Sequence, residues 1–199
     1  MVTKIYYFEG EYYLPKMIYS GGDMLKLGSQ LMKNKENEEL TELGFKVYSP
    51  QDDKEINDKT NQTKESNDKL AEKIFAKDTK GILESDILIF EVDNNNVGTT
   101  TEVGQCAQKE LEHLLSIQHL HADLHNLSLH ELTTFPGREK YFLKKYFFHS
   151  YDVRRTNIPE EGDRRSWSLN QYLNGALQFL NPNGIMSWDE IKDELKTLR

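Results

Sequence analysis

The chain has 199 residues, enough for one domain with an elaborated end, and 33 acidic against 25 basic side chains give a formal net charge of −8. That balance argues against nonspecific attachment to nucleic acid, which rests on Lys and Arg neutralising phosphates, and favours a small ligand or a protein partner. Cys106 is the one cysteine, so neither an intrachain disulfide nor a thiolate metal cluster can form.

The opening MVTKIYYFEG lacks the pattern of a secretory signal, and no apolar run approaches the ~20 residues of a membrane span; a cytoplasmic protein away from membranes is expected. TKIYYFEG, aromatic and β-branched and ended by Gly10, predicts the first buried strand, with EYYLPKMIYSGG as a loop after it. From Asp23 to about Leu43, the positions Met24, Leu25, Leu27, Leu31, Met32 and Leu40 fit an amphipathic helix closed by Gly44. FKVYSP predicts a second strand stopped by Pro50, and residues 51–67 a polar loop. A helix is expected from about Asp68 to Glu84, then a third strand at DILIFEV. Glu102 opens the next predicted helix, whose apolar positions are Val103, Cys106, Ala107, Leu111, Leu114 and Leu115. Residues 116–140 read as a helical insertion turning at Pro136-Gly137, and KKYFFHS as a fourth strand. Residues 166–199 carry two C-terminal helices around an Asn-Pro-Asn-Gly turn.

Strands alternating with amphipathic helices predict one α/β domain over residues 1–199, a flavodoxin-like, doubly wound parallel sheet with a C-terminal helical extension. Right-handed crossovers bring the C-terminal ends of all strands to one edge, where ligands of open α/β sheets bind. The segments expected there are residues 6–10, 49–52 and 93–102.

Two acids in or beside these segments have two readings each. Thr99-x-x-Glu102 fits a capping box, in which the carboxylate only closes its own helix. Glu102 also lies one turn before Cys106, at the edge of the inward face, where an ionised carboxylate could serve as a nucleophile. Asp78 shares a helical face with Ile74 and Ile82, so it is either a solvated edge residue or a buried acid beside a ligand, with Gly81 leaving room. Two such carboxylates can divide glycosidic bond cleavage between nucleophile and proton carrier. His121 and His125 have helical ligand spacing, but no third ligand follows, and the leucines explain that segment as packing. The glycine spacing fits neither a dinucleotide fingerprint nor a phosphate-binding loop.

KIYYFEG, AKDTKGILESDILIFEVD, GTTTEVGQ and SLNQYLNGAL…NPNGIMSWDEI, in that order, resemble the nucleoside 2-deoxyribosyltransferases over nearly the whole chain. The resemblance implies exchange of the base of a 2'-deoxynucleoside for a free nucleobase, with no metal or organic cofactor. It implies Glu102 as the nucleophile that forms a deoxyribosyl ester, Tyr6 as the tyrosine that positions it, and Asp78 as the acid at the base. Gln51 and Asn96 fall at base-contacting positions; some members carry an aspartate at the latter, and Asp93 could substitute for it. Asn170 matches an asparagine that a neighbouring subunit inserts into the site, which implies a homo-oligomer with shared sites. Two alternatives stand beside this: a deoxynucleoside 5'-monophosphate N-glycosidase, with Arg154 and Arg155 as phosphate ligands, and a non-catalytic binding module.

Overall fold

The computed structural model describes residues 6–8, 11–13, 16–57, 63, 67–152 and 169–198, with side chains from residue 16 onward. Strands β1 (Tyr6–Phe8) and β2 (Glu11–Tyr13) form an antiparallel hairpin of their own. The parallel sheet consists of β3 (Met17–Gly21), β4 (Lys46–Tyr48), β5 (Ile87–Glu91) and β6 (Lys145–His149), in the order β4-β3-β5-β6. The first described strand of this sheet is therefore MIYSG, expected as a loop, while the described part of TKIYYFEG, Tyr6–Phe8, pairs in the hairpin instead. An aromatic, β-branched run signals a strand but not which sheet it joins. Here β3 pairs with β4 through residues 17–19 and with β5 through residues 18–21, which makes it a central strand.

The chain leaves β3 outward to β4 and then reverses to β5 and β6, so the switch point lies between β3 and β5. Side chains alternate across the sheet. Ile18, Ile87, Ile89 and Phe147 face one core, with Leu40 of α1 (Leu27–Glu42) and with Ile191 and Leu195 near the C-terminus. Tyr19, Leu88, Phe90, Tyr146 and Phe148 face the other. Full burial of a Leu or Phe contributes roughly 1.5–3 kcal/mol, so these two layers hold the sheet between its helices.

After β4 come a 3-10 turn (Pro50–Asp52), which begins at the proline that stops the strand, and the short helix α2 (Lys54–Asn57), inside the expected polar loop. Helix α3 (Leu70–Glu84) leads into β5, all five residues of which are buried, as suits a strand covered on both faces. Helix α4 (Val97–Ile117) starts earlier than predicted, because Asn96 caps it by accepting the Thr99 N–H at 3.1 Å. The segment after α4 includes α5 (Leu129–Thr134) and a 3-10 turn (Arg138–Tyr141). It packs Leu124 and Leu132 into the core that holds Leu114. Helix α6 (Gln171–Leu180) joins that layer through Leu173 and Leu177, and α7 (Trp188–Lys196) closes the opposite one. Arg138 donates to the carbonyls of Phe135 and Phe179 at 3.0 Å each and to that of Gln178, tying its turn to the end of α6. No helix among the described residues is long and apolar enough to cross a membrane.

Helix α1 sits opposite to its expected orientation. Leu27 and Leu31 are 71% and 59% exposed, while Lys33, Glu36 and Asn37 are buried with Leu40. The sheet explains the inversion: β5 and β6 end in Glu91 and His149, both buried on this face, and these need polar neighbours. Lys33 Nζ lies 2.6 Å from Glu36 Oε2, His149 Nε2 lies 3.4 Å from Glu36 Oε1, and the Tyr151 hydroxyl donates to Glu36. Burial opposes the Glu36 charge, but the Lys33 ammonium, with the hydrogen bond from Tyr151, more than offsets it and holds the carboxyl below its usual range. Burial pushes His149 down to about 4, so it stays neutral near pH 7. Breaking this pair strands a buried ammonium. Glu36→Ala is expected to cost about 3–5 kcal/mol in equilibrium denaturation, and Lys33→Met combined with Glu36→Leu to restore most of that loss.

Candidate active site

The C-terminal edge of the sheet gathers side chains from four elements on the face of α3 and α4. Tyr48, Tyr19, Phe90 and Phe148 form a row of aromatic rings, one from each strand, at centroid separations of 5.8, 5.7 and 6.1 Å. Close approach within the row leaves no room for side chains at Gly21 and Gly81. A Cβ on Gly21 would fall 2.7 Å from Phe90 Cδ1, and one on Gly81 would fall 2.5 Å from Tyr48 Cε1. The missing side chain at Gly81 thus seats the Tyr48 ring against α3.

Tyr19 is fully buried, and its hydroxyl donates to Glu102 Oε1 at 2.7 Å. Glu102 lies in the second turn of α4. The helix cap belongs to Asn96, and Glu102 is held by a phenol from the central strand. Its ionisation is not favoured as a first-turn position would suggest: burial pushes the carboxyl up to about 7, the Tyr19 hydrogen bond draws it down, and the Asp78 charge raises it again. Asp78, on α3, is 8% exposed, and its Oδ1 is buried without a hydrogen-bond partner. Burial and then the charge of Asp53 push it up to about 6, against a Tyr48 hydrogen bond that lowers it. Tyr19 and Tyr48 are both driven well above the usual phenol range, chiefly by burial, and remain protonated donors. Two part-buried acids near neutrality, joined electrostatically and flanked by two phenols, can hold a proton between them and exchange it with a ligand.

The other expected residues are placed as follows. Gln51 follows β4 on the 3-10 turn; its amide nitrogen donates to Gln30 O at 3.3 Å and to Asn34, and its Oε1 is buried without a partner. Asn96 uses Oδ1 as the helix cap and keeps a buried Nδ2 without a partner. Asp93 is committed elsewhere: Oδ1 accepts the Asn96 N–H at 2.8 Å and Oδ2 the Lys26 ammonium at 2.9 Å. Asn170 is exposed and caps α6, accepting the Tyr172 N–H at 2.9 Å, while its own N–H donates to Asn94 Oδ1 at 2.7 Å. Tyr6 lies on the separate hairpin with its side chain outside the described residues, and Arg154 and Arg155 are also outside them. Among the described residues, the tyrosine that meets Glu102 is Tyr19. MIYSGG carried a usable signal, a β-branched and aromatic run ended by glycines, but the similar run before it hid that signal. The His121 ring packs on Tyr141 at 4.9 Å, and the described residues contain no group of three or more metal-ligating side chains.

Comparison with known proteins identifies the family and the fold. The family model described as nucleoside 2-deoxyribosyltransferase matches residues 18–119, from the central strand through α4, and the chain belongs to that family. A conserved protein from Enterococcus faecalis V583 has a similar crystal structure, with a TM-score of 0.58 at 17% identity, over 93% of this chain and 99% of that one. This likeness shows a shared fold. A 2-deoxyribosyltransferase from the psychrotolerant bacterium Bacillus psychrosaccharolyticus gives a TM-score of 0.49 at 14% identity, over 89% of this chain and 90% of its own. No curated protein matches the sequence.

The raised Glu102 carboxyl has a consequence for stability. A carboxyl lifted in the fold from 4.5 to about 7 contributes stability in full below its unfolded value and loses it as pH rises to the folded one. Glu102→Gln keeps an acceptor for Tyr19 without the charge. It is expected to exceed the wild type by up to roughly 3 kcal/mol at pH 8, with the gap closing toward pH 4.5, in denaturation series across pH.

Proposed function

We propose that the protein exchanges the base of a 2'-deoxynucleoside for another free nucleobase through a covalent deoxyribosyl–Glu102 ester. The observation that carries this reading is the 2.7 Å Tyr19–Glu102 hydrogen bond beside the buried, unpartnered Asp78 oxygen at the switch-point edge, in a chain of this family. Tyr19 fixes one carboxylate oxygen and leaves the other free to attack the anomeric carbon on the face opposite the base. The bond from that carbon to the base nitrogen breaks as the ester bond forms, and Asp78 donates its proton to the departing base. The incoming base then attacks the same carbon, returns a proton to Asp78 and releases Glu102. Two inversions retain the configuration.

Gln51 and Asn96 are read as contacts to the base. Asn96 offers a buried amide donor where an aspartate would offer only acceptors, which bears on the choice of base. Asn170 is read as serving a neighbouring subunit of a homo-oligomer. Its side chain is exposed at the start of α6, tied by its backbone to the loop that precedes Glu102.

Incubation with deoxyinosine and adenine should yield deoxyadenosine, followed by chromatography. Glu102→Ala should lower this rate at least a thousandfold and Asp78→Asn about a hundredfold or more. Turnover that survives Glu102→Ala removes the nucleophile; release of hypoxanthine without new nucleoside replaces transfer by hydrolysis. Mixing inactive Glu102→Ala subunits with inactive Asn170→Ala subunits should restore part of the activity, and mixtures as inactive as their components would reject the shared site.

A further inference from the structure

We propose that the groove between α4 and α6 is the face on which a second copy of this chain docks, each copy seating Tyr172 against Gly175 and Gly104 of the other. The inference rests, for its link to the site, on the homo-oligomer of the proposed function, and it names the contact that builds that oligomer.

The two helices meet the same core layer through Val103, Leu173 and Leu177. On their outer side they leave a groove of about 640 Å³, lined by Gly104, Ala107 and Gln108 of α4 and by Tyr172, Gly175 and Ala176 of α6. Both glycines are exposed and lie inside helices, where glycine costs about 1 kcal/mol relative to alanine. Packing within the chain does not require them: a Cβ at either would meet nothing within 4 Å among the described residues. Beside this hollow Tyr172 stands 89% exposed. A single copy thus holds a ring without a pocket and a pocket without a ring.

The two features are self-complementary. Tyr172 and Gly175 are three residues apart and share one face of α6. In an antiparallel crossing about a twofold axis, Tyr172 of each copy stands opposite Gly175 of the other, so both contacts form at once. Gly104, across the groove on α4, widens the hollow that receives the ring. A buried tyrosine covers about 150–250 Å², so two exchanged rings and the surfaces under them supply roughly half of the ~1,600 Å² of a standard interface.

Charge also suits a second copy. At a net charge of −8, two copies repel wherever their acids face each other. Although 29% of all residues are charged, residues 169–187 carry no charge, and residues 97–108 carry only Glu102, which turns inward to Tyr19. Arg138, the charged residue of the lining, spends its guanidinium on the carbonyls of Phe135, Gln178 and Phe179. An uncharged centre with an aromatic anchor is the composition of a protein–protein contact. Asn170 caps α6 two residues before Tyr172, so docking on this face brings it to the partner's surface.

Sedimentation equilibrium of the full chain tests the contact without turnover. The wild type should weigh at least twice one chain at micromolar concentration. Gly175→Tyr fills the hollow from a position with free space around its Cβ, and Tyr172→Ala removes the ring. Each should weaken association by about tenfold or more while circular dichroism stays that of the folded protein. The double variant Tyr172→Ala/Gly175→Tyr exchanges ring and hollow across the twofold axis and should recover most of the association. A monomeric wild type, or association that both single variants leave unchanged, overturns the proposal. Self-association through this face without base exchange would sink the proposed function and leave the contact standing; base exchange by an oligomer indifferent to both variants would do the reverse.

Discussion

The hydrogen bond between Tyr19 and Glu102 is the contact on which the rest of the site depends. It joins the central strand to the second turn of α4, and it forms under a row of rings that excludes water from the phenol. A phenol buried this way stays protonated, so it can only donate to the carboxylate, and that fixes which oxygen of Glu102 is restrained. The geometry requires β3 to pair on both sides, because only then does Tyr19 stand between Tyr48 and Phe90. It also requires small residues where the rings approach the backbone, at Gly21 and Gly81. Packing and hydrogen bonding at the site are therefore one constraint.

The two faces of the sheet handle buried charge in opposite ways. Under α1, Glu36 is matched by Lys33, His149 is kept neutral and burial raises the Glu91 carboxyl, so the Lys33–Glu36 pair carries the compensated charge. On the other face, Asp78 and Glu102 are buried near each other, and the nearby cation, Lys77, is directed to Asp53 and Glu55. Left uncompensated, those two acids stand near neutrality, where a proton can be lost and regained at little cost. Compensated charge holds the fold together; uncompensated charge is kept at the edge where strands end and a ligand can enter.

The stretch after α4 and the C-terminal helices complete the layer behind Glu102. Leu124, Leu132, Leu173 and Leu177 pack with Val103 and Cys106, and Arg138 closes the end of α6 by donating to its last carbonyls. These elements hold α4, and with it Glu102, against the sheet. Asn170 begins α6 while its N–H reaches Asn94, so the C-terminal helices are also tied to the loop that leads into Glu102.

The sequence by itself determined the alternation of strands and helices, the buried strand DILIFEV, the turns at Gly44 and Asn-Pro-Asn-Gly, and the pairing of Asp78 with Glu102 as acids of interest. These follow from local periodicity and turn chemistry, which a linear pattern records. Which of two adjacent aromatic runs enters the sheet is a matter of long-range backbone pairing, and only the tertiary structure decided for MIYSG and hence for Tyr19. The inward face of α1 is likewise set by the sheet: a leucine stripe normally turns inward, but here the sheet beneath presents the buried polar side chains of Glu91 and His149. Tyr48 likewise has no distinctive local pattern, and its place in the row of rings against Gly81 arises only where a strand end and a helix meet.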